Sequence, residues 1–278
     1  AKSHQYLYEK LWLPMESQLL SIRKITIVPK GIYSSINLNV IKNGSKQYLV
    51  DKYDYIQCIY SLRSLTYQIL PFLNDKIFFL GDPNYSGNLE ENNFRGNILL
   101  ERDGKRDGSW VALPNTKLEV ENNIKYWNPK LSSLLIDTFA TEEMFFKIQS
   151  PRILHIATHG FVNSMYRTFD PGFVLANANL QISDENSDGY IYSRDIAEMD
   201  FTYTELVTLS MCESGIGYSD LSSAISSLGN SFLIAGASNV MYSVAKVNDE
   251  STKFFMNSFY QYYSHSLNPT YSISKAMR

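Results

Sequence analysis

Arg152-Ile153-Leu154-His155-Ile156-Ala157-Thr158-His159-Gly160 and Glu205-Leu206-Val207-Thr208-Leu209-Ser210-Met211-Cys212-Glu213-Ser214-Gly215 are the two stretches around which the chain is organised. Each is an apolar, β-branched run of strand length that ends in a reactive side chain, with a glycine close behind. An apolar run without polar alternation predicts a parallel strand buried on both faces. Ligands of open parallel sheets sit outside the carboxyl ends of the strands, so His159 and Cys212 fall where a site is expected. Cys212 lies 53 residues after His159 (212 − 159). A cysteine with a histidine elsewhere in the chain is a candidate nucleophile and base. The competing reading makes Cys212 a small buried hydrophobe and His159 a hydrogen-bonded structural side chain. The matching contexts, and the order histidine then cysteine, weigh against it.

Working outward, the 278 residues are 44% hydrophobic and 14% aromatic. That is enough for one large domain or two small ones. The net charge of −3 carries no basic excess, so direct nucleic-acid binding is not expected. Two cysteines, Cys58 and Cys212, make no disulfide framework and fit a reducing compartment. No apolar run reaches the length of a membrane helix, and no signal peptide is visible. The chain begins at Ala1, and residues 272–278 read as a helix cut short, so it is expected to be a piece of a longer cytoplasmic protein.

In chain order, residues 3–20 have helical spacing broken at Pro14. Strands are expected at 24–28, 46–50, 53–56 and 77–80, with a helix at 61–65 and Cys58 in the core. Turn residues dominate 84–97, and 102–108 is a charged turn. Residues 113–120 read as a helix start, with Asn115 or Thr116 capping and Glu119 three residues after Thr116, as in a capping box. A second capped helix is expected at 140–147 and strands at 172–177 and 237–244. Helical spacing covers 221–235 and 253–263, and 190–196 runs into a short helix. The acidic run Asp184-Glu185-Asn186-Ser187-Asp188-Gly189 fails as a calcium loop, because its twelfth position is Asp195 and not a bidentate Glu. Strands alternating with helices predict an α/β fold with a mainly parallel sheet.

His155-Ile156-Ala157-Thr158-His159-Gly160 followed by Ser210-Met211-Cys212-Glu213-Ser214-Gly215 resembles the CHAT domain, a caspase-like peptidase module often attached to TPR repeats. Ile25-Thr26-Ile27-Val28-Pro29-Lys30-Gly31, Tyr53-Asp54-Tyr55-Ile56 and Leu113-Pro114-Asn115-Thr116-Lys117-Leu118-Glu119-Val120 are similar to further segments of that family. The resemblance implies a caspase-like α/β/α sandwich with an inactive N-terminal half, residues 1–110, and a catalytic half, 111–278. It implies a cysteine endopeptidase without cofactor or metal, acting on a specific protein. Its implied setting is bacterial immunity or cell death, with a gasdermin-like or CRISPR-linked substrate. A TPR or sensor region outside this chain, or an activating partner, would control it, and no membrane is involved.

The chemistry follows from the residue types. A thiol attacks a carbonyl as thiolate, and a neighbouring imidazole takes its proton. His159 is then base and later acid, and Cys212 is the nucleophile. The developing oxyanion needs backbone donors in a tight turn. The resemblance assigns these to the amides of Gly160 and Cys212, and Gly160 has no Cβ to hinder approach. No carboxylate follows as a third member, so a dyad is expected. His155, on the same strand side as His159, is the alternative base or a core residue. For the S1 pocket the candidates are Ser210, Met211 and Asp249. Ser210 stands where arginine-cleaving relatives carry an acid, and Met211 greases the pocket floor. Asp249 either binds a cationic side chain or caps the following helix. Ala245 and Lys246 depart from the family's usual pocket. The alternatives are therefore a silent scaffold of the same fold, and a small-molecule thiol hydrolase. The loops at 84–97 and 161–188 are expected sites of self-cleavage or of ordering on activation.

Overall fold

The computed structural model describes residues 2–31, 33, 36–59, 62, 75–87, 110–163, 170–180, 188–213, 218–243 and 249–278. At 2, 3, 163, 212, 213, 218–223 and 249 it describes the backbone alone. The expected helix at 61–65 lies outside these residues save for Leu62, as do the turn at 102–108, residues 88–97 of the loop at 84–97, residues 164–169 and 181–187 of the loop at 161–188, and the segment at 244–248.

The chain forms two compact units, residues 1–68 with 258–278, and residues 69–257.

In the first unit, α1 (Lys2–Leu7) passes through a π-helical turn, Tyr8–Trp12, into α2 (Leu13–Glu16). Pro14 sits in the first turn of α2, where its missing amide is tolerated. Strand β1 (Lys24–Ile27) pairs in parallel with β2 (Tyr55–Cys58), Ile25 opposite Ile56. Both isoleucines pack with Trp12, Ile41, Leu49 and Tyr53. Two expectations fail here. Residues 46–50 are not a strand: Tyr48 makes one isolated bridge to Lys42, and α3 (Leu49–Lys52) then begins, its start held by Asp51 accepting from the Tyr48 amide at 3.2 Å. Cys58 is exposed at the end of β2 and not in the core.

In the second unit the elements are β3 (Ile77–Pro83), α4 (Pro114–Asn123), β4 (Ser132–Asp137), α5 (Glu142–Phe146), β5 (Ile153–Asn163), β6 (Asp170–Val174), β7 (Tyr190–Tyr192), α6 (Ser193–Ala197), β8 (Leu206–Glu213), α7 (Tyr218–Ile234) and β9 (Val240–Tyr242). The chain ends with α8 (Asp249–Ser266) and α9 (Pro269–Met277). Strands β3 to β9 form one seven-stranded sheet. Across it β4, β3, β5, β8 and β9 run parallel, while β6 is antiparallel to β5 and to β7. β5 therefore has three neighbours. β8 lines it from Ile153 to Gly160. On its other edge β3 runs to Ala157 and β6 takes over from Gly160.

Strand alternation sorts the side chains onto two faces. On one, Leu80, Leu154, Ile156, Leu209 and Met211 pack with Phe145 of α5 and Leu228 and Phe232 of α7. Each such fully buried side chain contributes roughly 1.5–3 kcal/mol. On the other face α4 packs against β3 and β5. Helices on both faces of a mostly parallel sheet make the expected caspase-like α/β/α sandwich. Among the described residues no helix is long and apolar enough to cross a membrane.

One acid bears on pH stability. Glu142 is buried in the first turn of α5 and accepts from the Gly189 amide at the entry to β7. Burial raises its carboxyl from an ordinary 4.5 to about 7; the Gly189 amide opposes the rise and Asp188 adds to it. A carboxyl raised on folding stabilises below its unfolded pKa, and that contribution is lost as pH rises through the folded value. Wild-type stability is therefore expected to fall between pH 5 and pH 8, with a flatter profile in Glu142→Gln. Urea unfolding across that range checks it, and parallel profiles would contradict it.

Candidate active site

His159 sits between the end of the β3 pairing at Ala157 and the start of the β6 pairing at Gly160. The expectation placed it at a strand end. The strand instead continues to Asn163, because β6 takes up the freed edge. His159 is buried, and its ring lies 5.4 Å from each of Tyr85 and Trp110 between ring centroids. Tyr85 is anchored in turn. Thr158 Oγ1 donates to the Val174 carbonyl at 2.7 Å, so its single proton is used, and the Tyr85 hydroxyl donates to that oxygen at 2.9 Å.

Nε2 of His159 lies 2.7 Å from the backbone oxygen of Val111. A carbonyl only accepts, so Nε2 carries the proton, and in the neutral ring Nδ1 is left as the acceptor. The sequence offers no carboxylate as an orienting third member. The orienting group is a main-chain carbonyl, which no side-chain pattern signals. Tyr85 and Trp110 were missed for a related reason: both lie outside the strand motifs, and Trp110 follows a turn-rich stretch.

Cys212 is the direct register partner of His159 across β5 and β8, Cα beside Cα. Neighbouring strands are about 4.8 Å apart, so the two backbone positions are adjacent. Gly160 is paired with Phe173 on one side and Glu213 on the other. The two expected oxyanion donors are thus strand residues and not turn residues. A Cβ added to Gly160 would come no closer than 3.5 Å to Met211 Sδ, and its φ is not positive. Neither packing nor backbone conformation within the described residues demands glycine there. Gly172 is different, since a Cβ there would meet the Ile191 carbonyl at 2.1 Å and the Phe161 ring at 2.5 Å.

The S1 candidates separate. Ser210 is buried on β8 beside Ala157. Met211 pairs with Thr158 and packs in the core under α7, on the strand face opposite to that of His159. Asp249 is the first residue of α8. His155 is wholly buried, stacked on Phe79 at 5.1 Å, with Nε2 2.9 Å from Glu119 Oε1. That is a core position, and it also corrects the capping box. Glu119 points from α4 into the sheet instead of back to its helix start. Thr116 Oγ1 donates to the Leu113 carbonyl at 2.7 Å and accepts from the Asp82 amide at 2.9 Å. Thr116, Glu119, Val120 and Asn123 form the buried face of α4 at i, i+3, i+4, i+7. Three of the four are polar, which hides that face from a hydrophobicity pattern.

A family model described as CHAT domain matches residues 1–278 of the chain. Comparison with curated proteins gave no match.

Proposed function

We propose that this chain, which belongs to the CHAT domain family, is a cysteine endopeptidase that uses Cys212 as nucleophile and His159 as base. The family and the sandwich fold make it caspase-like and related to cysteine peptidases. The observation that carries the finer reading is the register pairing of His159 with Cys212, beside an imidazole whose Nε2 is already committed to Val111. In this reading Nδ1 takes the Cys212 thiol proton, and the thiolate adds to the scissile carbonyl. The backbone amides of Gly160 and Cys212 donate to the oxyanion. The imidazolium returns its proton to the leaving amine, which departs as the thioester forms. Water, losing a proton to His159, then hydrolyses the thioester and frees the thiol. The Nε2–H bond to Val111 strengthens while the ring is charged, since charge-assisted hydrogen bonds are the stronger ones.

The substrate is a specific protein, with Ser210 and Asp249 contributing to side-chain selection. Access is controlled by a TPR or sensor region or by an activating partner, within a bacterial defence or cell-death response. Incubation with proteome-derived peptides, read by mass spectrometry, tests the activity. Cleavage by wild type that disappears in Cys212→Ala is the expected result. Cleavage that survives Cys212→Ala would end this assignment. Absence of cleavage by wild type, even with its controlling partners added, would favour a silent scaffold.

A further inference from the structure

The Val111 carbonyl is the group that orients His159, yet the Val111 side chain is 71% exposed and packs too little to hold it. The hold comes from the preceding residue. Asn179 Oδ1 accepts from the Trp110 amide at 2.6 Å, and Asn179 Nδ2 donates to the Trp110 carbonyl at 2.8 Å. One side-chain amide thus engages both main-chain groups of Trp110, as a neighbouring strand would. Asn179 is itself fixed: it is 7% exposed, its amide donates to the Tyr85 carbonyl at 2.8 Å, and Nδ2 also reaches Ser86 Oγ at 3.4 Å. The Trp110 indole donates to the Tyr190 hydroxyl at 3.0 Å, so ring and backbone are both held. Only an Asn-like side chain does this. Asp lacks the donor for the Trp110 carbonyl, Ala lacks both groups, and Gln is longer by one methylene.

We infer that Asn179 is a positioning residue for His159. By clamping Trp110 it keeps the Val111 carbonyl against Nε2, and so keeps the imidazole as the Nε2–H tautomer with Nδ1 as proton acceptor. The inference rests on the reading of His159 as the catalytic base, but its test does not need activity. In protein labelled with ¹⁵N-histidine, the four histidines give separable ring signals, and that of His159 is identified by its loss in His159→Gln. Wild type is expected to show a protonated Nε2 and an unprotonated Nδ1 at His159. Asn179→Ala and the isosteric Asn179→Asp are expected to mix the two tautomers, which a purely structural role would not do. Where peptide cleavage is measurable, kcat should fall about tenfold to a hundredfold, with KM little changed. If Asn179→Ala does not fold, Asn179→Asp carries the same readouts. A wild-type His159 protonated at Nδ1, or a folded variant that keeps the wild-type tautomer, overturns the inference. If wild type cleaves nothing yet its tautomer depends on Asn179, the clamp stands and the peptidase reading fails.

Discussion

Changing His159 to glutamine is expected to lower kcat/KM for any peptide the protein cleaves by on the order of 10⁴-fold. Glutamine isolates the chemical role from the packing role. Its side chain still fills the space between Tyr85 and Trp110, and its amide still has a proton to donate to the Val111 carbonyl. It cannot take a proton from a thiol at neutral pH. Cys212 would then react only through the small thiolate fraction of an ordinary thiol, whose pKa is about 8.5. Two measurements check this. Steady-state kinetics gives the fall in rate. The pH dependence of Cys212 alkylation should follow an ordinary thiol curve in the variant and reach its plateau at lower pH in wild type. Equal rates and equal alkylation profiles would remove His159 as the base. His155 would not be the substitute, because it is wholly buried against Phe79 and Glu119.

The second large effect is on stability. Glu119→Ala is expected to cost about 3 kcal/mol. The carboxyl of Glu119 and the imidazole of His155 face each other at 2.9 Å, both out of solvent, where α4 crosses β5. Removing the carboxyl leaves Nε2 of His155 desolvated and without the acid it faces, which is the costly case. For a unit of this size that corresponds to a fall in melting temperature of roughly 6–12 °C. Replacing both partners by apolar side chains of similar shape, Glu119→Leu with His155→Phe, should cost much less than Glu119→Ala, because no polar group is then stranded. Thermal unfolding of Glu119→Leu, His155→Phe and the double completes the cycle, with Glu119→Ala measured beside them. Single variants that melt with wild type would show that the pair holds nothing.

Much of the fold and part of the site follow from local pattern. Ile153 to Ala157 and Leu206 to Leu209 are unbroken apolar runs, and such runs form parallel strands wherever they fall, because both faces must be covered. From them follow the α/β class and the helices between strands, whereas the pairing of His159 with Cys212 is a matter of strand order and register. The extent of β5 did not follow, since its last four residues, 160–163, are strand only because β6 lies on the edge that β3 vacates. Met211 is next to Cys212 in the chain but faces the α7 core, and which face a strand residue takes is set by register. The capping-box spacing at Glu119 was outweighed by a buried imidazole 36 residues away.

The sequence by itself determined the strand type and the α/β class, because each rests on periodicity and composition within a short window, while the sandwich was what the family resemblance implied. Only the tertiary structure decided what orients His159. Its partner is a main-chain carbonyl at Val111, held by Asn179 from 68 residues further on, and a backbone group carries no identity that a sequence can display.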